Sequence, residues 1–357
     1  MTSTLGVALN VLLHGGGATQ APTAATEPPE ARGLRRDEVR LMIAGDGPLR
    51  HRLFTDLGRH LAAGDLLVVN TSATLPAALD GEREDGSAVA VHVSGPVGGH
   101  WAVELRRPGG GRVTDAVIGE RLVLAGDATA QLRAAYPDPT RHTGSRLWEA
   151  MIATPDGLEQ LLHGHGRPIT YDYLRGRWPL TAYQTIFAAD PGSAEMPSAG
   201  RPFSAELVVD LVPRGVVLAP VTLHTGVSSP EAGEPPLPER YRVPQSTADL
   251  VAVTRAAGRR VIAVGTTVTR ALETVARADG SVTAGEGWTD LVLDGQRPAR
   301  VVDGLITGWH DADASHLQLL QAVAGAELVA QAYDAARAEG YRWHEFGDAC
   351  LLLRGGT

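Results

Sequence analysis

A chain of 357 residues that is 43% hydrophobic and 20% charged is long enough for two domains with buried cores, which excludes general disorder. All 32 of its basic residues are arginine, so a pyridoxal Schiff base, a Walker-type Gly-Lys-Ser/Thr loop and a lysine-dependent kinase are excluded. One cysteine, Cys350, rules out an internal disulfide, a Cys-rich zinc site and a three-cysteine iron–sulfur motif, and a net charge of -9 argues against a protein that coats nucleic acid.

Taken in chain order, the apolar stretch Leu5 to Leu13 is short, is interrupted by Asn10 and has no basic residue before it, so residues 1–26 read as a disordered tail, with a cleaved or uncleaved signal segment as the alternative. Arg40 to Ile43 reads as a strand ending at the Asp46-Gly47 turn, Phe54 to Leu61 has helical spacing, and Leu66 to Asn70 is a buried strand. Residues 75–153 change character. Ala88 to Val93, Trp101 to Leu105 and Arg121 to Leu124 are short segments separated by glycine-rich turns, the pattern of a small antiparallel barrel inserted in the chain. Helices and strands then mix: a helix over Gly157 to His163, a helix end and strand start within Val208 to Leu218, an amphipathic Thr247 to Ala257, a strand at Arg260 to Val264, a helix over Val268 to Ala278, closing helices over Gln318 to Ala338 and a last strand at Ala349 to Leu353. The fold class is therefore mixed α and β, an α/β domain over 27–74 and 154–357 interrupted by a β-barrel domain over 75–153.

Gly265-Thr266-Thr267 stands between a strand and a helix, where free backbone N–H groups and two hydroxyls at a positive helix end suit a carboxylate, a phosphate or a ribose; a threonine is expected to cap that helix. Arg270 and Glu273, three residues apart, read as a surface ion pair of little energetic weight. Asp303, Thr307 and His310 punctuate an apolar stretch, where polar groups must be bonded or used, and His310 is the strongest candidate for proton transfer. His163-Gly164-His165 lacks a third ligand at zinc spacing and reads as a glycine-rich loop, so no metal is assigned. Cys350 lies in an apolar run and reads as packing, and the arginines at 32, 35, 36, 106, 107 and 112 read as solvated surface.

Seven blocks in this order, Gly64 to Asn70, Tyr183-Gln184-Thr185, Pro197 to Gly200, Val221 to His224, Val261 to Thr267, Val302 to Thr307 and Gly347 to Ala349, resemble the S-adenosylmethionine:tRNA ribosyltransferase-isomerase family of queuosine biosynthesis, over roughly residues 28 to 353. The resemblance implies an α/β domain interrupted by a closed β-barrel. It also implies that S-adenosylmethionine is consumed as a substrate: its ribosyl part passes to an aminomethyl-deazaguanine base of tRNA and is rearranged to an epoxycyclopentanediol, releasing adenine and methionine. It further implies tRNA as partner and no metal; the single cysteine points to a cytoplasmic location, and no membrane segment and a monomer or homodimer are expected. Carried over position by position, Gly265, Thr266, Thr267, Arg270, Glu273, Thr307 and Asp348 would hold S-adenosylmethionine, while His310, His224 and Asp303 would serve catalysis.

The chain departs from the family pattern where an acid and two arginines are replaced in Asn70 to Ala78, where a histidine is lost in Ala199 to Phe203, and at Ser228-Ser229-Pro230, Pro236-Leu237 and Gly308 to Ala312. These departures leave two further readings open: a divergent paralogue that cleaves S-adenosylmethionine with another, small-molecule acceptor, and a noncatalytic binding protein on the same fold.

Overall fold

A computed structural model describes residues 23–141, 144–227, 236–310 and 316–355. The expected tail lies outside the described residues as far as residue 22, but Thr23–Ala24 pairs in parallel with Arg342–Trp343 and Ala25 is buried, so the last residues assigned to the tail are part of the folded body.

The frame is a nine-stranded mixed sheet whose spatial order is Gly285–Thr289, Glu239–Val243, Val217–Leu223, Leu66–Asn70, Val261–Val264, Gly304–Gly308, Ala349–Leu353, Arg40–Ala44 and Arg50–Leu53. The four strands from Val217 to Gly308 in that order run parallel, so their C-terminal ends share one edge. Both faces are covered, which explains why these strands read as continuous apolar runs and not as alternating ones. One face, with Leu66, Val68, Val261, Ala263 and Leu305, packs on Val268, Leu272, Leu320 and Val329 of helices Thr266–Thr274, His316–Ala324 and Ala326–Ala338. The other, with Leu67, Val69, Ile262, Val264 and Ile306, packs on Phe54, Phe203, Leu207 and Leu211. Cys350 is buried on the first face, and burial pushes its thiol up, away from reactivity.

Between Leu66–Asn70 and Val217–Leu223 the chain forms a closed antiparallel barrel from Ala78–Arg83, Ala88–Val97, His100–Arg106, Arg121–Leu124, Ala128–Tyr136 and Leu147–Ala153. Alternation sends Val91, Val103, Leu105, Leu122, Leu132 and Trp148 inward. Gly81 lets strands approach at the barrel wall: a Cβ there would stand 2.7 Å from the carbonyl oxygen of Val123. The mixed α and β class with an antiparallel barrel is as the sequence pattern anticipates.

Several local expectations are corrected. The helix after Gly265 ends at Thr274, four residues early, because Val275 packs against the core while the chain turns toward an isolated bridge between Ala276 and Val282. His163-Gly164-His165 is the last turn of helix Leu158–His165, not a loop, and His163 Nδ1 lies 2.8 Å from the carbonyl of Glu159. The closing segment, expected as one or two helices, is two, divided at Gly325, whose φ of 87° favours glycine. Replacement of the fully buried Trp148 by alanine is expected to lower stability in urea unfolding by about 3–5 kcal/mol; a loss below about 1 kcal/mol would contradict this account of the barrel core.

Candidate active site

The shared edge of the parallel strands brings four sequence blocks together, as open α/β sheets characteristically do at their carboxyl ends. Asn70 ties them. Its Nδ2 donates to the carbonyl of Leu223 at 2.9 Å and to Thr267 Oγ1 at 3.3 Å, and its Oδ1 accepts from the N–H groups of Leu223 and Ser72, each at 3.0 Å. Gly265 occupies the cap position of the next helix at φ 101°, and its N–H is held by the carbonyl of Ile306 at 2.8 Å. A Cβ on Gly265 would come within 3.3 Å of the Ala199 methyl. No side chain caps this helix, contrary to the expected threonine cap, because the cap position falls on Gly265; Thr267, inside the first turn, accepts from Asn70. The first-turn N–H groups are thereby left to whatever enters the space in front of them.

That space is a cleft of about 520 Å³, lined by Gly265, Thr266, Thr267, Arg270, Thr307 and His310 among the expected site residues. The volume suits a ligand the size of a nucleoside derivative. His310 stacks on His316 with ring centroids 4.5 Å apart and planes at 11°. Burial holds the His310 imidazole well below its ordinary range, and the neighbouring His316 and His344 push the same way. His316 is driven down to about 4, by burial first and then by Arg270. His310 is therefore uncharged at neutral pH and can accept a proton.

Arg270 and Glu273 do not form the expected surface pair, because both point into packed structure. Arg270 pairs with Glu239, which also accepts the Gly226 N–H at 3.1 Å, and donates to the carbonyls of Leu237, Thr289 and Leu291, so it fixes the cleft wall. Glu273 is 1% exposed and receives the N–H groups of Arg300, Val301 and Val302 at distances down to 2.8 Å, which orders the turn leading into Gly304–Gly308.

Three further expected residues lie off the cleft. Asp303 accepts the Val261 N–H at 2.9 Å, binding two strand starts at the opposite edge of the sheet. Asp348 accepts the N–H groups of Arg40 and Arg342 at 2.9 and 2.8 Å; burial pushes its carboxyl up, against those hydrogen bonds. His224 directs Nδ1 to Ser72 Oγ at 2.8 Å, and Ser72 Oγ lies 2.6 Å from Ser193 Oγ. Its imidazole is pushed down, chiefly by burial.

Among the substituted positions, Pro236 and Leu237 line the cleft, Thr71 bonds Thr222 at 2.9 Å, and the buried Arg201 pairs with Glu30 at 2.8 Å. Ser228 to Pro230, Asp311 and Ala312 lie outside the described residues.

The structure adds residues that sequence reasoning missed. The barrel supplies Arg112 and Arg146 to the cleft, both directed by Glu104, a carboxylate with no exposed surface; Arg146 lies 3.2 Å from it and Arg112 4.0 Å. Glu104 also pairs with Arg106 at 3.1 Å, so Arg106 is buried rather than solvated, whereas Arg35 and Arg107 stay exposed. Burial raises the Glu104 carboxyl, but His92, Arg106 and Arg146 outweigh it and leave it at about 2. Tyr171, Tyr173, Glu195, His344 and Glu345 complete the wall. Alternation sets Glu104 on the outer face of the barrel, between inward-facing Val103 and Leu105, where a charge is ordinary, so neither its burial nor its partners showed in the sequence. Among the described residues no group of His, Cys, Asp and Glu converges in a way that could hold a metal ion, and no helix is long and apolar enough to cross a membrane.

A family model described as queuosine biosynthesis protein matches residues 20–352. The chain is 37% identical over 334 residues to the S-adenosylmethionine:tRNA ribosyltransferase-isomerase of Moorella thermoacetica, spanning 89% of this chain and 94% of that one. It is 35% identical over 337 residues to the protein of the same name from Thermus thermophilus, spanning 89% and 93%. The crystal structure of S-adenosylmethionine tRNA ribosyltransferase from Thermotoga maritima is similar with a TM-score of 0.50 at 30% identity, over 92% of this chain and 96% of that one.

The Glu104 cluster sets a pH dependence. Because the folded carboxyl sits at about 2, below its ordinary 4.5, its stabilisation is present above pH 4.5 and is lost as pH falls toward 2. The Glu104→Gln variant should be about 3 kcal/mol less stable at neutral pH, with a flatter loss of melting temperature through that acid window; parallel melting curves for the two proteins would refute the assignment.

Proposed function

Because this chain belongs to the queuosine biosynthesis protein family, we propose that it is an S-adenosylmethionine:tRNA ribosyltransferase-isomerase. It transfers the ribosyl part of S-adenosylmethionine to the aminomethyl-deazaguanine base of tRNA, isomerises it to the epoxide and releases adenine and methionine. The observation that carries this reading is the meeting of an uncapped helix start at Gly265 to Thr267 with an uncharged His310 in one cleft at the strand ends. Two domains are part of the proposal, residues 27–74 with 154–357 and the barrel over 75–153, with the cleft taking side chains from both.

The chemistry follows from the substrate. A sulfonium acidifies the adjacent 5′-carbon of the ribose, so removal of that proton leaves a carbanion stabilised by sulfur. The sugar then opens with loss of adenine, the acceptor amine captures the ribosyl fragment, and closure of the epoxide expels methionine. His310 is the base for the first step: burial keeps it uncharged and so ready to take the proton. The N–H groups at Thr266 and Thr267, with the hydroxyl of Thr307, bind the ribose and carboxylate oxygens of the substrate. Arg270 acts through Glu239 and the 289–291 backbone to hold the wall. Glu273, Asp303 and Asp348 position the strands through backbone N–H groups, and His224 positions Ser72 and Ser193. Cytoplasmic tRNA is the macromolecular partner in this reading.

Purified protein incubated with S-adenosylmethionine and tRNA bearing the aminomethyl-deazaguanine base should release adenine, measured by chromatography. His310→Ala should slow that release by at least about tenfold. Release with a small-molecule amine but not with this tRNA would reassign the acceptor, and an unchanged rate in the variant would remove His310 from the mechanism.

A further inference from the structure

The cleft holds a second group suited to proton transfer, placed by a different part of the chain. The N–H of His344 donates to the carbonyl of Trp309 at 3.1 Å, so the turn carrying Glu345 is bonded to the residue just before His310. His344 has φ 72°, a left-handed conformation that costs a side-chain-bearing residue of order 1–3 kcal/mol and collects at functional sites. Its ring stacks on Tyr173, centroids 4.3 Å apart, and Tyr173 stacks on Tyr171 at 6.1 Å. The two phenols serve two carboxyls: Tyr173 donates to Glu345, and Tyr171 donates to Glu195. Both glutamates are half-buried and line the cleft that His310 lines.

Among the described residues, Tyr171, Tyr173, Tyr183 and Glu195 act on Glu345. The guanidiniums of Arg112 and Arg146, on the barrel side of the cleft, are engaged by Glu104. Burial, opposed by the Tyr173 hydrogen bond and reinforced by the negative Glu195, pushes the Glu345 carboxyl up to about 7. A base whose proton affinity is lowered and an acid whose proton is retained thus stand in the same cleft, the arrangement that assigns acid and base roles.

We propose that Glu345 is the proton donor of the reaction, giving its carboxyl proton to a ring nitrogen of the departing adenine while His310 takes the proton from the carbon beside the sulfonium. This role rests on the ribosyl-transfer reading. The electrons balance without a further reactant. The C–H pair stays on carbon, the glycosidic C–N pair leaves with adenine, and the O–H pair of Glu345 stays on its carboxylate. The proton shed when the acceptor amine adds to the sugar then restores Glu345, and the proton taken by His310 passes to solvent as methionine leaves, which resets the base. Glu195, held apart by Tyr171, is a positioning residue whose charge keeps Glu345 protonated.

The test is adenine release from S-adenosylmethionine and the acceptor tRNA, followed from pH 5.5 to 9 with wild type, Glu345→Gln and Glu195→Gln. Wild type should lose activity on an alkaline limb near pH 7. Glu345→Gln keeps an oxygen for the Tyr173 hydroxyl; it should bind S-adenosylmethionine by calorimetry as wild type does, yet turn over at least about tenfold more slowly and without that limb. Glu195→Gln removes the like charge, so its limb should move to lower pH. Wild-type turnover and an intact limb in Glu345→Gln would overturn the role, as would loss of S-adenosylmethionine binding in that variant, which would make Glu345 a binding or structural group. A limb unmoved in Glu195→Gln would equally count against it. Wild type that releases no adenine would overturn the ribosyl-transfer reading itself, a result distinct from two active proteins with matching profiles.

Discussion

Four parallel strands end at one edge, and the side-chain amide of Asn70 uses both its donors and its acceptor to join two of those ends to the helix start at Thr267. The remaining architecture follows from keeping that edge in register. The Ile306 carbonyl holds Gly265 from the third strand end, and Thr307 and His310 continue from the same strand. With Gly265 at the cap position no side chain closes the helix start, which leaves backbone N–H groups facing the cleft. The apolar faces of the sheet supply stability, while this polar seam gives the edge its shape.

Buried charges repeat the principle at a larger scale. Glu273 orders a turn through three backbone N–H groups, Glu104 directs barrel arginines toward the cleft, and Arg270 braces the opposite wall through Glu239. Each would be costly to bury alone and is bonded to protein instead. Set against this rigid surround are an imidazole that burial pushes down and a carboxyl that burial pushes up, both in backbone segments joined between His344 and Trp309.

The sequence revealed the frame better than the site. Arg260 to Val264 followed by Gly265-Thr266-Thr267 carried its strand, its turn and its helix in local pattern, and the glycine-punctuated β run announced the barrel. His310 stood out because a titratable residue closing an apolar stretch needs a reason. Asp303 drew attention on the same ground, and Asp348 and Glu273 through the family resemblance, yet their partners are backbone N–H groups that no pattern exposes. Arg270 and Glu273 looked like a helical surface pair only because helical spacing cannot show that both faces are buried. Glu345 was invisible for a different reason: Tyr173, which holds it, lies 172 residues away in sequence.

In the proposed function, S-adenosylmethionine lies at the edge that Asn70 aligns, between the start of helix Thr266–Thr274 and the His310 and Glu345 segments. Hydrogen–deuterium exchange with and without S-adenosylmethionine tests it most directly. Bound ligand should slow exchange at the amides of residues 266–268, 309–310 and 344–346, with little change across the outer barrel strands. Binding accompanied by unchanged exchange at 266–268, or protection confined to the barrel, would contradict it.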